Sequence, residues 1–351
     1  MNRKGLIIMA IRLGINGFGR IGRNTFRALL ENGRGDIEVA ALNDLTDNAT
    51  LAHLFQFDSL YGELREKVQT RGKNLVVDGR RVRVFTEPDP ARIPWEEEGV
   101  DIVIEATGRF RTREAVAKHL RGGVKKVIVT TPVNDADLMV VLGINHRDYD
   151  PDTHHILSNA SCTTNALAPV AKVLDENFQL KRGLMNTTHA YTNDQHLLDL
   201  PHPDLRRARA AAENMIPTST GAARSVGRVL PQLKGKIDGF AIRVPIPTVS
   251  IVDLVGEVAV PTREEDVNAA FTAAAGEGDL EGILGYGSRP LVSSDYRGSR
   301  YSSVVDGLLT MVVDETLLRV VAWYDNEWGY SCRVADLAAM VGQQMVQPVT
   351  V

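Results

Sequence analysis

At 351 residues, 44% of them hydrophobic and 24% charged, the chain is long enough for two globular domains, each with its own core. The formal net charge of −4 excludes the basic excess of a general nucleic-acid binder, so no dedicated nucleic-acid partner is expected. No run of roughly 18 apolar residues occurs, which argues against a membrane span. The only cysteines, Cys162 and Cys332, are too few for a disulfide framework and fit a reducing compartment, the cytoplasm.

The chain opens on Met1-Asn-Arg-Lys followed by Gly-Leu-Ile-Ile-Met, which faintly resembles a signal peptide. Arg12 interrupts that apolar run, so residues 1–8 read as a short extension, with Met9 as an alternative start. Ile11–Ile15 reads as a strand, Ile21–Leu30 as a helix and Ile37–Leu42 as a second strand. Strands over Val82–Phe85, Asp101–Glu105, Lys126–Val129 and Leu138–Leu142 follow, with a helix at Arg113–Leu120. Strands separated by helices predict a doubly wound parallel sheet of Rossmann type.

Past residue 161 the pattern changes. A helix at Asn165–Glu176 precedes β-rich runs at Gly239–Val244, Val249–Val260, Leu308–Asp314 and Leu317–Trp323. Successive strands predict an α+β domain with a large mixed or antiparallel sheet, helices on one face. Between them Thr192–Pro217 is irregular and rich in Asp, Pro and Arg, and a loop of that length is usually functional. Arg333–Met345 carries apolar residues at helical spacing.

Gly17-Phe-Gly19-Arg-Ile-Gly22 lies between the first strand and the first helix, with Asp44 just past the second strand. Alone, a GxGxxG is weak; in this strand–turn–helix–strand context it points to a dinucleotide site. The glycines let the backbone approach a pyrophosphate held by the helix N-terminus. A carboxylate at Asp44 would accept from the ribose hydroxyls and repel a 2′-phosphate, favouring NAD over NADP. No metal site is expected.

Ser158-Asn-Ala-Ser-Cys162-Thr-Thr-Asn165 places a cysteine among small polar residues near a helix start, where local positive potential favours the thiolate. A base is needed beside such a nucleophile. His189 is a candidate, with Asp194 and His196 as nearby rivals, and spacing alone cannot show which of them meets the cysteine. Cys332 has no obvious base and reads as structural. For anions, the candidates are Ser161, Thr163, Thr192, the run Thr218-Ser219-Thr220-Gly221, and Arg243 in an otherwise apolar strand. Arg206, Arg207 and Arg209 form a basic cluster that reads mainly as a solvated face or subunit contact.

Four motifs together resemble the phosphorylating glyceraldehyde-3-phosphate dehydrogenase family. They are the cysteine motif, His189-Ala-Tyr-Thr-Asn-Asp-Gln195, Leu200-Pro201-His-Pro-Asp-Leu-Arg206-Arg207-Ala-Arg-Ala-Ala-Ala, and Trp323-Tyr-Asp-Asn326-Glu-Trp-Gly-Tyr330. The resemblance runs from about Ile11 to the C-terminus. It implies a glycolytic or gluconeogenic, NAD-dependent homotetramer acting on glyceraldehyde 3-phosphate and inorganic phosphate. The implied organisation is an NAD-binding domain at 10–161, a catalytic domain at 162–327, and a C-terminal helix at about 328–351 that packs back on the first domain. The stretch Thr192–Pro217 resembles the family's S-loop, which lines a neighbouring subunit's cofactor site.

The resemblance makes Cys162 the nucleophile and His189 the general base. It gives Thr192, Arg243 and Arg207 to the substrate's own phosphate, and Ser161, Thr163, Thr220 and Gly221 to the attacking phosphate. Arg20, Ile21, Asp44, Thr130 and Asn326 match cofactor contacts, Asn326 at the nicotinamide amide, and Leu200-Pro201 is the pair of NAD-specific members. The chain departs from the family at Ala166, where a second cysteine is frequent, and at Pro88, where many bacterial members carry a cofactor-contacting arginine. It also departs at Thr130-Thr-Pro-Val-Asn-Asp, usually a run of small residues. Erythrose-4-phosphate dehydrogenase, which shares fold and nucleophile, would be expected to lose the Ala190-Tyr-Thr-Asn-Asp stretch kept here. A non-catalytic NAD-binding protein would have signalled itself by loss of Cys162 or His189.

Overall fold

A computed structural model describes residues 10–33 and 36–346; the extension at residues 1–8, the alternative start Met9 and residues 347–351 lie outside them. The chain divides into two compact units. The first comprises described residues up to 138, residues 150–159 and those from 334 on; the second comprises 139–149 and 160–333.

In the first unit six strands run parallel. Their spatial order is Ile156–Ser158, Lys126–Val129, Ile102–Glu105, Ile11–Asn16, Ile37–Asn43 and Arg80–Phe85. Strands covered on both faces carry continuous apolar runs, and Ile102–Glu105 and Lys126–Val129 are buried throughout. The order reverses between Ile11–Asn16 and Ile102–Glu105, which makes the crevice at their carboxyl ends the place for a ligand. The sheet is not wholly parallel, because Asn74–Val77 and Val68–Arg71 extend it antiparallel beyond Arg80–Phe85. Two expected elements are shorter: the strand is Leu138–Met139 and the helix Arg113–Ala117. Beyond Ala117 the helix gives way to tighter turns, with His119 N–H on the Val116 carbonyl and Leu120 N–H on the Ala117 carbonyl.

The second unit holds a mixed sheet in the order Ile216–Ser219, Ile237–Val244, Leu180–Ala190, Ser250–Val258, Leu317–Tyr324, Ser303–Asp306, Leu284–Gly287. The helix Cys162–Phe178 lies against it, with Leu167, Val170, Val173 and Leu174 sharing one core with Val252, Leu254 and Val320. Each fully buried aliphatic side chain there contributes about 1.5–3 kcal/mol. The expected helix start at Asn165 moves back to Cys162, because Ser161 caps it. Leu308–Asp314 is not one strand but a single turn at Gly307–Leu309 followed by Met311–Val313. The loop after Ala190 ends at Ile216 rather than past Pro217. Composition had not exposed the strand Leu180–Ala190 or the helices Asn48–Gln56, Ala222–Val229 and Glu264–Gly276. The C-terminal helix is longer than its apolar spacing suggests, Trp328–Val346.

Candidate active site

In the first unit the glycine turn has a steric basis. Gly17 sits at φ +89°, and a Cβ there would lie 2.7 Å from the Thr107 nitrogen. A Cβ on Gly22 would lie 2.2 Å from the Gly17 carbonyl oxygen. Gly19 is the N-cap of the helix Arg20–Glu31, no side chain caps that terminus, and the space beside it is open. Such a helix start presents N–H groups and positive potential to an anion.

Asp44 is oriented by two backbone donors, Phe18 N–H to Oδ2 at 2.7 Å and Thr46 N–H to Oδ1 at 2.9 Å. It lines a cavity of about 280 Å³ together with Gly17, Gly19, Asn43, Pro88 and Thr107. A cradle that a Cβ would fill, an uncapped helix N-terminus and a fixed carboxylate fit a dinucleotide. The other expected cofactor contacts are arranged differently. The Arg20 guanidinium pairs with Asp58 and lies over the Tyr61 ring. Thr130 directs both its N–H and its hydroxyl to the Glu105 carbonyl, at 3.0 and 3.2 Å. Neither Ile21 nor Thr130 lines the cavity.

In the second unit Cys162 is the first residue of its helix. Ser161 Oγ accepts from Thr164 N–H at 3.0 Å, so this hydroxyl is occupied as the cap. Ala160, immediately before, holds φ +55°, a left-handed conformation costing a non-glycine residue about 1–2 kcal/mol. His189 lies near the end of Leu180–Ala190, and its Nε2 is 3.5 Å from Cys162 Sγ. Arg243 stands directly opposite His189 in the parallel strand Ile237–Val244. Its Nη1 lies 2.9 Å from His189 Nδ1, donates to the Ala190 carbonyl at 2.9 Å and reaches Thr192 Oγ1 at 3.5 Å. Its Nε is buried with no hydrogen-bond partner, and among the described residues the guanidinium makes no ion pair.

Burial decides the electrostatics. It pushes the Cys162 thiol above its ordinary range, against the opposing pull of Arg243 and Thr163. This corrects the expectation of a lowered thiol pKa: the helix terminus does meet Cys162, but desolvation outweighs the favourable charges. Burial, with Arg243 adding to it, lowers His189 to about 3, so the imidazole is neutral near neutral pH.

Two residues with no role assigned from sequence complete this cluster. Tyr324 stands edge-on to His189, and its hydroxyl bonds Thr163 Oγ1 at 2.9 Å and Thr187 Oγ1 at 2.8 Å. Ser250 Oγ accepts from Ala190 N–H at 3.1 Å and donates to Asn326 Oδ1 at 3.0 Å. The motif around Asn326 contained Tyr324, and a hydroxyl in a buried aromatic run was the available signal. Val249, just before Ser250, is buried at φ +69°, strain that a β-branched residue carries only where its surroundings enforce it.

The remaining candidates are placed less directly. Arg207 pairs with Asp194, donates through Nε to Thr218 Oγ1 at 2.8 Å and through Nη2 to the Ser219 carbonyl at 3.1 Å. That pairing removes Asp194 as a rival base, and His196 faces His202 instead. Arg209 pairs with Asp199, in keeping with a solvated face. Thr220 Oγ1 accepts from Ala222 N–H at 3.2 Å, and Gly221 is the N-cap of Ala222–Val229. Neither bonds Cys162, His189 or Arg243. Cys332 is buried in the C-terminal helix.

Comparison with known proteins agrees with both halves. Residues 11–113 match the NAD binding domain of glyceraldehyde 3-phosphate dehydrogenase, and residues 161–326 match its C-terminal domain. The chain is 59% identical over 336 residues to glyceraldehyde-3-phosphate dehydrogenase of Geobacillus stearothermophilus, covering 96% of this chain and 99% of the relative. It is 56% identical to the Streptomyces coelicolor enzyme over 337 residues, 96% of this chain and 100% of the relative. With the Mycobacterium avium enzyme it shares 55% over 342 residues, again 96% and 100%. The chain belongs to the glyceraldehyde-3-phosphate dehydrogenase family, as an NAD-dependent oxidoreductase with that family's two domains.

Proposed function

We propose that the chain oxidises and phosphorylates glyceraldehyde 3-phosphate through a thioester on Cys162, with His189 as base. The observation that carries this is the 3.5 Å approach of His189 Nε2 to Cys162 Sγ beside Arg243, a partly buried cation that makes no ion pair among the described residues. The Cys162 thiol gives its proton to His189 Nε2 and its sulfur attacks the aldehyde carbon; the same proton passes to the oxyanion, giving a thiohemiacetal, and returns to Nε2 as hydride leaves. The Cys162 backbone N–H and the imidazole would stabilise the developing oxyanion. NAD⁺, when bound, accepts the hydride. The thioester carbon is then attacked by inorganic phosphate, releasing the thiolate and 1,3-bisphosphoglycerate.

Within this reading Arg243 and Thr192, with Arg207, hold the substrate's phosphate, while Ser161, Thr163, Thr220 and Gly221 receive the attacking one. Gly17, Gly19, Arg20, Ile21, Gly22, Asp44, Thr130 and Asn326 serve the cofactor. Arg20 would do so through its backbone, since its guanidinium is bound to Asp58. The domains would divide at residue 161, with the terminal helix on the first. Among the described residues no helix is long and apolar enough to cross a membrane; a cytoplasmic homotetramer is proposed. Support for assembly comes from apolar side chains on the second sheet, Leu184 at 71% exposure and Phe240 at 49%, which a partner subunit would cover.

The test is NAD⁺ reduction with glyceraldehyde 3-phosphate, with and without inorganic phosphate. Rapid phosphate-dependent turnover is expected. Greater turnover on erythrose 4-phosphate, or none on either aldehyde, would refute the reading.

A further inference from the structure

In the second unit the strands Leu180–Ala190, Ser250–Val258 and Leu317–Tyr324 lie side by side, the middle one antiparallel to both neighbours. Along the first pair the register runs as far as Thr188 opposite Ile251, and continuing it would set Ala190 against Val249. The ladder stops short of that: Val249 holds φ +69°, and the Ala190 N–H donates to the side chain of Ser250, Oγ at 3.1 Å. On its other side Ser250 pairs with Tyr324, and its hydroxyl meets Asn326 Oδ1, just past the end of that strand, at 3.0 Å. One hydroxyl thus joins the end of the strand that carries His189 to the segment that carries Asn326.

The hydrogen count fixes the direction of the second bond. A backbone N–H only donates, so Ser250 Oγ accepts from Ala190 and has one hydrogen left to place. Ser250 is 1% exposed, and a buried hydroxyl hydrogen without an acceptor costs free energy. Among the described residues its acceptor is Asn326 Oδ1, so the amide shows oxygen to Ser250 and turns its NH2 elsewhere. The backbone around Asn326 is held separately. Asp325 Oδ1 accepts from Glu327 N–H at 3.0 Å, Trp328 N–H at 2.9 Å and Thr248 Oγ1 at 3.0 Å, and Oδ2 accepts from Gly298 N–H at 2.9 Å. That turn leaves the rotation of the amide free, and Ser250 removes it. Asn326 is 5% exposed, yet its Nδ2 has no acceptor among the described residues. A buried amide held by its oxygen, with its N–H groups unused, is built for an acceptor from outside the chain.

Given the cofactor role proposed for Asn326, we propose that Ser250 is a positioning residue that turns the Asn326 amide so that its NH2 reads the carbonyl oxygen of the nicotinamide carboxamide. A flipped amide would offer Oδ1 and read the carboxamide NH2 instead. Both groups sit on one substituent of the ring, so the choice sets how that substituent, and the ring with it, is presented. The same hydroxyl holds the Ala190 peptide from its N–H side, while Arg243 Nη1 holds it from its carbonyl side at 2.9 Å. The anchor for the cofactor ring and the residue next to His189 are therefore placed by one group that touches neither ring nor substrate. Val249 fits this account: its left-handed backbone ends the ladder and lets a side-chain oxygen, not a carbonyl, meet Ala190.

The experiment titrates the full-length enzyme, freed of dinucleotide, and follows binding by calorimetry. Four probes are compared. NAD⁺ carries both carboxamide groups, its 3-acetylpyridine analogue keeps the carbonyl oxygen but has no NH2, its thionicotinamide analogue keeps the NH2 but has sulfur, a poor acceptor, for oxygen, and ADP-ribose lacks the ring. The wild type should bind the acetyl analogue within about threefold of NAD⁺ and the thio analogue about tenfold more weakly. Any other ranking overturns the assignment. Ser250→Ala should weaken NAD⁺ about tenfold and leave ADP-ribose unchanged. Loss on both ligands, or on neither, gives Ser250 no part in placing the ring and overturns the proposal. Asn326→Asp decides the matter even if Ser250→Ala does not fold: it keeps the bond from Ser250 and shows a second oxygen in place of NH2, so the order of the acetyl and thio analogues should invert. An order that stays as in the wild type sinks the proposal. Enzyme that forms NADH from glyceraldehyde 3-phosphate but fails these comparisons loses this assignment alone; enzyme that forms none loses the proposed reaction.

Discussion

His189 Nε2 and Cys162 Sγ lie 3.5 Å apart, joined from the end of a strand and the start of a helix, and burial draws both toward their uncharged forms. The thiolate therefore depends on Arg243, Thr163 and the helix terminus, which all oppose burial.

From this follows a test of the nucleophile. Cys162→Ser is expected to retain NAD binding and lose several orders of magnitude in turnover, because a hydroxyl is a far weaker nucleophile near neutral pH. Iodoacetamide followed by peptide mapping should find Cys162 labelled before Cys332, which is 1% exposed. First labelling at Cys332 with activity intact would remove Cys162 from its role.

Cofactor choice depends on Asp44, whose carboxylate is held by Phe18 and Thr46 N–H groups. Asp44→Ala should weaken NAD binding and relax discrimination against NADP, since a ribose acceptor and a repelling charge disappear together. A full switch should also require changes at Leu200 and Pro201. Steady-state kinetics with both cofactors would contradict this if the wild type used them equally well.

The two phosphate roles separate kinetically. Losing one charged donor costs roughly 1.5–3 kcal/mol, or about one to two orders of magnitude in affinity. Arg243→Ala should raise the KM for glyceraldehyde 3-phosphate with less effect on unphosphorylated glyceraldehyde. Thr220→Ala should chiefly raise the KM for inorganic phosphate and leave the NADH burst in place. Loss of that burst in Thr220→Ala would show the division of roles to be mistaken.

Stability should fall in acid through His189. Its folded pKa of about 3 lies below the unfolded value of 6.5, so the unfolded chain takes up the proton first. The contribution is complete above about pH 6.5 and is lost as pH falls toward 3. Cys162 acts at the other end: its raised pKa makes its contribution complete at neutral pH and lost as pH rises past 9.0, the ordinary thiol value. Melting temperatures measured from pH 7 to 4 should drop less in His189→Gln than in the wild type. Parallel curves would mean that His189 does not titrate this way.

The sequence alone determined the parallel strands up to Val129 and the first helix, because strands covered on both faces must be apolar runs and that helix is amphipathic; it did not show the helix Asn48–Gln56 or the antiparallel strands Val68–Arg71 and Asn74–Val77. It also determined the glycine turn, because a positive φ and contacts of 2.2 and 2.7 Å admit no Cβ. Cys162 was legible for the same local reason, a cysteine among capping residues. Tertiary structure decided the rest of the catalytic cluster. His189 and Arg243 lie far apart in the chain and meet only through the parallel register of Leu180–Ala190 with Ile237–Val244, a strand pairing with no local signature. Thr163 and Tyr324 meet only on folding, and so do Ser250 and Asn326. The sign of the thiol shift was likewise beyond the sequence, because the helix terminus that lowers it is local whereas the burial that raises it is supplied by the whole second unit.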